Sequence, residues 1–171
     1  MKSLALFATG ALALASPLAH AAYSFGAYQS YAIGGNAMPG ALAVGDVDGD
    51  GRKDVVITTG YAQDPAKQSK VLIYLQKADG TLATPRVVPY LSSNSLNIGG
   101  VAIGDLNGDR RNEIIVGHDT GISIVRWNLA ATKATLVRVN VGVDMPNAAM
   151  QVALLDVDRD GRMDIVGQAD E

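Results

Sequence analysis

The stretch Asp46-Val47-Asp48-Gly49-Asp50-Gly51-Arg52-Lys53-Asp54 is written three times along the chain in variant form. The second copy is Asp105-Leu106-Asn107-Gly108-Asp109-Arg110-Arg111-Asn112-Glu113, and the third is Asp156-Val157-Asp158-Arg159-Asp160-Gly161-Arg162-Met163-Asp164. Each copy sets oxygen-bearing side chains at loop positions 1, 3, 5 and 9. A small apolar run precedes each (Ala41 to Val44, Val101 to Ile103, Gln151 to Leu155), and a β-branched run follows (Val55 to Ile57, Ile114 to Val116, Ile165 to Val166). β-branched residues favour extended backbone, so the context reads as strand, loop, strand.

Alternate side chains of a tight turn converge on one point, so positions 1, 3 and 5 can surround a hard cation. The carbonyl at position 7 (Arg52, Arg111, Arg162) and the carboxylate at position 9 complete an oxygen shell. Calcium suits such a shell because it accepts six to eight oxygens in flexible geometry, whereas magnesium demands an octahedron and keeps its waters. Asp, Asn and Gly are also ordinary turn residues, and one copy alone would carry little weight. Three copies in one context favour an ion. Carboxylates about 4 Å apart repel by about 4 kcal/mol per pair at a near-surface dielectric, which calls for a compensating charge.

Outward from the loops, the copies begin at residues 46, 105 and 156, a spacing of 59 and then 51 residues. Periods of this size mark blades or solenoid units. We read three units, at about 22–80, 81–128 and 129–171, the last truncated. The first opens with Tyr23 to Tyr28 and closes with Val71 to Leu75, with a polar insertion between its last two strands. The second opens with Pro85 to Tyr90 and closes with Ile122 to Trp127. The third opens with Leu136 to Val141, and after Val166 it lacks a closing strand. Short β-branched runs separated by Gly, Pro, Asn and Asp, with no capped helical periodicity, give an all-β class with about four strands per unit.

Residues 1–21 carry Lys2, an uncharged apolar run from Leu4 to Leu14 and the small-x-small site Ala19-His20-Ala21. That is the pattern of a cleavable export signal, and it is too short to span a bilayer. The expected location is secreted or periplasmic, with residues 22–171 as one domain and no membrane span. The chain has no cysteine, which excludes disulfides and thiolate metal sites. Its formal net charge is −3, and 11 of the 17 acidic residues lie in the three loops. A basic face for nucleic acid is therefore not expected.

Catalytic chemistry has little to work with. Beyond the export segment there is one histidine, His118, beside Asp119. In a hairpin next to Gly117 it reads as a solvated turn residue, not a triad base. Tyr61, Tyr74, Tyr90 and Trp127 could form a sugar platform, but aromatics in strands more often pack. We expect no enzyme.

The run Val44-Gly45-Asp46-Val47-Asp48-Gly49-Asp50-Gly51-Arg52-Lys53-Asp54-Val55-Val56 resembles the calcium loop of the FG-GAP repeat, also called VCBS. This repeat builds the β-propeller of integrin α subunits and of many exported bacterial proteins. The resemblance implies a partial β-propeller of about two and a half to three four-stranded antiparallel blades, with a calcium loop in each. Carried over by position, it implies up to three Ca2+ ions. The ligands would be Asp46, Asp48, Asp50, Asp54 and the Arg52 carbonyl; Asp105, Asn107, Asp109, Glu113 and the Arg111 carbonyl; and Asp156, Asp158, Asp160, Asp164 and the Arg162 carbonyl. Loop two departs from the pattern, with Arg110 in place of a glycine and one carboxylate fewer, so it is expected to be the weakest site. The implied role is recognition or adhesion through a protein or carbohydrate ligand. Two other readings stay open: a non-catalytic portion of a secreted carbohydrate-active enzyme, or a structural fragment of a larger propeller. Too few blades to close a ring leaves open edges that invite self-association.

Overall fold

Among the described residues, the β-branched runs fold as ten strands in three antiparallel sheets. The computed structural model describes residues 27, 29–33, 37–60, 69–90, 99–119, 121–128, 133–139 and 151–168. The expected export signal, residue 61 and most of the expected opening strand at 23–28 lie outside them. All the described sheets belong to the unit of residues 32–171. The first sheet joins β1 (Met38–Gly45), β2 (Asp54–Gly60), β3 (Ser69–Tyr74) and β4 (Arg86–Tyr90) in chain order. The second joins β5 (Val101–Gly104), β6 (Glu113–His118), β7 (Gly121–Asn128) and β8 (Lys133–Val139) in the same way. The third holds β9 (Gln151–Leu155) and β10 (Asp164–Gln168). No described helix is long and apolar enough to cross a membrane.

Local chemistry explains these elements. Pro39 and Pro89, which cannot donate to a ladder, both fall on outer strands of the first sheet, where that deficit is tolerated. The register slips between Pro39 and Leu42. A turn at Lys77 to Gly80 returns the chain from β3 to β4, with Gly80 at φ 80° donating its amide to the Lys77 carbonyl at 2.9 Å. Ile114-Ile115-Val116 is an unbroken apolar run, and all six positions of β6 are buried. Alternation is lost there because both faces of the strand are covered.

The second sheet is the middle of a stack. Val56, Val71 and Ile73 of the first sheet, with Val47 and Tyr90, pack against Ile114, Val116 and Val125 of the second. On its other face, Ile115 and Ile122 meet Val152, Leu154 and Ile165 of the third. Three antiparallel sheets packed face to face in chain order are the architecture of a partial β-propeller.

Two sequence expectations are corrected. The segments read as opening the second and third units, at 85–90 and from Leu136, are the last strands of the sheets before them: β4 pairs with β3 and β8 with β7. A short connection makes the preceding strand the nearest partner. His118 is buried, not solvated, at 3 % exposure. Its Nε2 lies 2.9 Å from Ser123 Oγ, and its ring centroid 5.6 Å from that of Tyr90. Tyr74 and Tyr90 are buried, and Trp127 packs against the first core cluster, so these three aromatics serve the core.

Candidate metal centres

All three acidic loops share one backbone conformation, which their sequences only partly advertise. Positions 4 and 6 have positive φ throughout: Gly49 at 81° and Gly51 at 84°, Gly108 at 77° and Arg110 at 66°, Arg159 at 64° and Gly161 at 87°. Loop one meets the demand with two glycines. The other loops each place one arginine in the left-handed region, at a cost of about 1–2 kcal/mol. Comparison of position 4 across the three copies would have singled out Arg159 as readily as position 6 singles out Arg110.

Side-chain oxygens hold this conformation. At position 1, Asp46 accepts the amides of Gly49 (2.7 Å) and Gly51 (2.8 Å), and Asp105 those of Gly108 (2.8 Å) and Arg110 (2.7 Å). Position 3 accepts the amide of position 5, and position 5 that of position 7, in every loop. At position 9, Asp54, Glu113 and Asp164 accept the amides of Val47, Leu106 and Val157 at 2.8, 3.0 and 2.9 Å. The amide bonds draw the carboxylates toward each loop's centre.

In loop one, oxygens of Asp46, Asp48 and Asp50 converge within 4.8 Å of one another. Asp50 is also paired with the Arg52 guanidinium, whose Nε donates to the Gln76 carbonyl at 2.8 Å. Asp54 stands outside this trio, fully buried, with its second oxygen accepting the Gln76 amide at 2.9 Å. The Asp48 carboxyl is pushed above the usual range by burial and by the charges of Asp54, Asp50 and Asp46. A cation would relieve that accumulated charge.

Loop three brings Asp156, Asp158 and Asp164 within the same 4.8 Å, with Asp160 outside. Asp156 accepts the Gly161 amide through Oδ2, while its Oδ1 is buried with no hydrogen-bond partner. In the other two loops the equivalent Oδ1 is taken by the position-4 amide. An orphaned buried oxygen on a carboxylate that converges with two others fits a cation.

Loop two is arranged differently. Its carboxylates form no such trio. Instead Asn107 Nδ2 donates to Asp109 Oδ2 and to Glu113 Oε1, both at 3.1 Å. Arg126 Nε of β7 lies 3.3 Å from Glu113 Oε1, whose side chain is only 3 % exposed. The chain's own amide and guanidinium thus hold oxygens of Asp109 and Glu113. Nothing in the loop spacing announced Arg126.

The loops also fasten the sheets. Asn112 Nδ2, at position 8 of loop two, donates to the Asp46 carbonyl of loop one at 2.7 Å. At the next junction position 8 is Met163, which has no donor, and a groove of about 500 Å³ runs between loops two and three past Asp105, Asn112 and Met163.

Stacked antiparallel sheets whose first two strands are joined by an aspartate-rich turn define a repeat of propeller type. The FG-GAP repeat model matches residues 38–74, and the model of the FG-GAP-like repeat matches residues 105–167. The chain belongs to the FG-GAP repeat family. No curated protein and no solved structure matches it.

Proposed function

We propose that this chain is an exported, calcium-binding recognition or adhesion module without catalytic activity. Residues 1–21 would direct export, and 22–171 would form the working domain, which presents the stacked sheets to a protein or carbohydrate ligand. The observation that carries the calcium reading is the convergence of Asp46, Asp48 and Asp50 in loop one and of Asp156, Asp158 and Asp164 in loop three, where Asp156 also keeps one buried oxygen without a partner. Loops one and three take the first two ions. Loop two, whose Asp109 and Glu113 oxygens are already held by Asn107 and Arg126, fills last. Calcium is abundant outside the cell, where even a site of about 10⁻⁴–10⁻³ M is filled, so export and weak calcium loops suit each other. The membership of the FG-GAP family, whose modules bind or scaffold, supports a non-enzymatic role. Calorimetric titration of the chelated protein tests the reading: two equivalents of calcium bind before any further ion, and the melting temperature rises with occupancy. A melting temperature indifferent to calcium overturns it.

A further inference from the structure

The third position of loop two is an amide, Asn107, where the other loops carry Asp48 and Asp158, and Gly108 follows it. The glycine answers the left-handed backbone of position 4, at φ 77°. The sequence holds no other Asn-Gly pair. Asparagine is among the chemically labile residues, most of all before glycine, where no Cβ obstructs the next backbone nitrogen. On losing its proton, that nitrogen attacks the asparagine Cγ. A C–N bond forms, the Cγ–Nδ2 bond breaks, and the amide nitrogen leaves as ammonia with a proton in place of the lost bond. Water then opens the cyclic imide to aspartate or isoaspartate.

While loop two is closed, each group in that reaction is engaged elsewhere. The Gly108 amide donates to Asp105 Oδ1 at 2.8 Å. Asn107 Oδ1 accepts the Asp109 amide at 2.8 Å, and Nδ2 donates to Asp109 Oδ2 and Glu113 Oε1, both at 3.1 Å. Departure of Nδ2 forfeits both of its hydrogen bonds, and negative charge on the Gly108 nitrogen would build beside the Asp105 carboxylate. Asn107 and Gly108 are nonetheless exposed, so water and base reach them whenever the loop opens.

We propose that Asn107 is a deamidation site guarded by the hydrogen bonds of its own loop, and that its conversion changes loop two from an internally satisfied turn into an acidic one. Either product lacks the Nδ2 donor. Asp109 Oδ2 then loses its bond from Asn107, while Glu113 keeps Arg126 and the Leu106 amide. The aspartate product also places a carboxylate where Asp48 and Asp158 stand, and both of those belong to convergent trios. On the calcium reading, on which this last step alone rests, the modified loop fills together with its neighbours instead of after them.

Peptide mapping by mass spectrometry of the full chain, aged in chelator at mildly alkaline pH, tests the guard. Fragmentation assigns the mass gain to residue 107, and the gain is expected to be about 10- to 100-fold slower in the folded chain than in urea. Asn107→Asp supplies the aspartate product directly, with circular dichroism verifying its fold. In chelator its melting temperature is expected to lie about 4–8 °C below the parent's, two hydrogen bonds having been exchanged for repulsion. In calorimetric titration it is expected to take up three equivalents of calcium over the range in which the parent takes up two. Equal rates in the folded and unfolded chain, or equal melting temperatures in chelator, overturn the proposal. A variant that binds two equivalents as the parent does overturns the gain of an ion. A parent that binds none overturns the calcium reading instead, and the rates and the melting temperatures in chelator still decide the modification.

Discussion

Chelation should loosen this protein by an amount set by two carboxylate trios, not three. Asp46, Asp48 and Asp50 form one trio and Asp156, Asp158 and Asp164 the other, while loop two is closed by Asn107 and Arg126. A ligand at 100 times its dissociation constant stabilises the folded state by about 2.7 kcal/mol per site, so two independent sites give about 5 kcal/mol. For a domain of this size each kcal/mol moves the melting temperature by about 2–4 °C, giving about 10–20 °C between chelated and saturated protein. Differential scanning calorimetry at stepped calcium concentrations, paired with equilibrium dialysis, reads both quantities. Asp46→Asn and Asp156→Asn should each remove one of the first two ions and about half of the shift. Glu113→Gln should leave those two ions in place. It should lower the melting temperature equally with and without calcium, because it removes a buried partner of Arg126 and of the Leu106 amide, a loss of about 1–3 kcal/mol. The reasoning is refuted if Glu113→Gln abolishes one of the first two ions, or if loop two fills ahead of its neighbours.

Three further outcomes follow from the packing and the backbone. Burial pushes the Tyr90 phenol up to about 12 from 10.0. Ser69 and Gly99 lie near enough to offset part of that shift, yet Tyr90 Oη makes no hydrogen bond of normal geometry. The folded state then holds a proton that the unfolded chain releases, so its stability is intact below pH 10.0 and falls as pH rises toward about 12, by up to about 3 kcal/mol; urea melts at stepped alkaline pH should show the loss, and Tyr90→Phe should abolish it. Arg110→Gly and Arg159→Gly should each stabilise the calcium-free protein by up to about 1 kcal/mol, by relieving left-handed backbone, as measured by chemical denaturation. Ile115→Ala, in the middle of the stack and fully buried, should cost about 2–5 kcal/mol, whereas Leu42→Ala on the exposed face should stay within about 0.5 kcal/mol.

What could be read without coordinates was what the chain repeats. Oxygen donors at fixed spacing located the loops, β-branched runs located the strands around them, and the unbroken Ile114-Ile115-Val116 run fits a strand covered on both faces. Strand ownership was harder, because β4 and β8 resemble opening strands in sequence and only the short returns from β3 and β7 decide where they pair. His118 misled for a related reason. Its neighbours Gly117 and Asp119 are turn residues, but the seam between sheets buries the histidine against Tyr90 and Ser123. Partners distant along the chain left no trace at all: Asn112 reaches a carbonyl 66 residues away, and Arg126 meets Glu113 from the adjoining strand.

The ninth loop position shows why an ion at the loop would be felt throughout the stack. Asp54 is fully buried and spends one oxygen on the Val47 amide and the other on the Gln76 amide. It thereby fixes both the entry of loop one and the end of β3. Val47 is itself a member of the first core cluster, and the Asp46 carbonyl beside it is held by Asn112 from the next blade. Loop conformation, core packing and blade junction thus meet within two residues. If the carboxylates of loop one splay apart under their mutual repulsion, Asp46 releases the amides that shape the turn, Val47 loses its seat and the clasp from Asn112 loses its acceptor. Neutralising that charge stabilises three contacts of different kinds at once, so calcium occupancy should register as cooperative stability of the whole stack and not as local ordering of a surface loop.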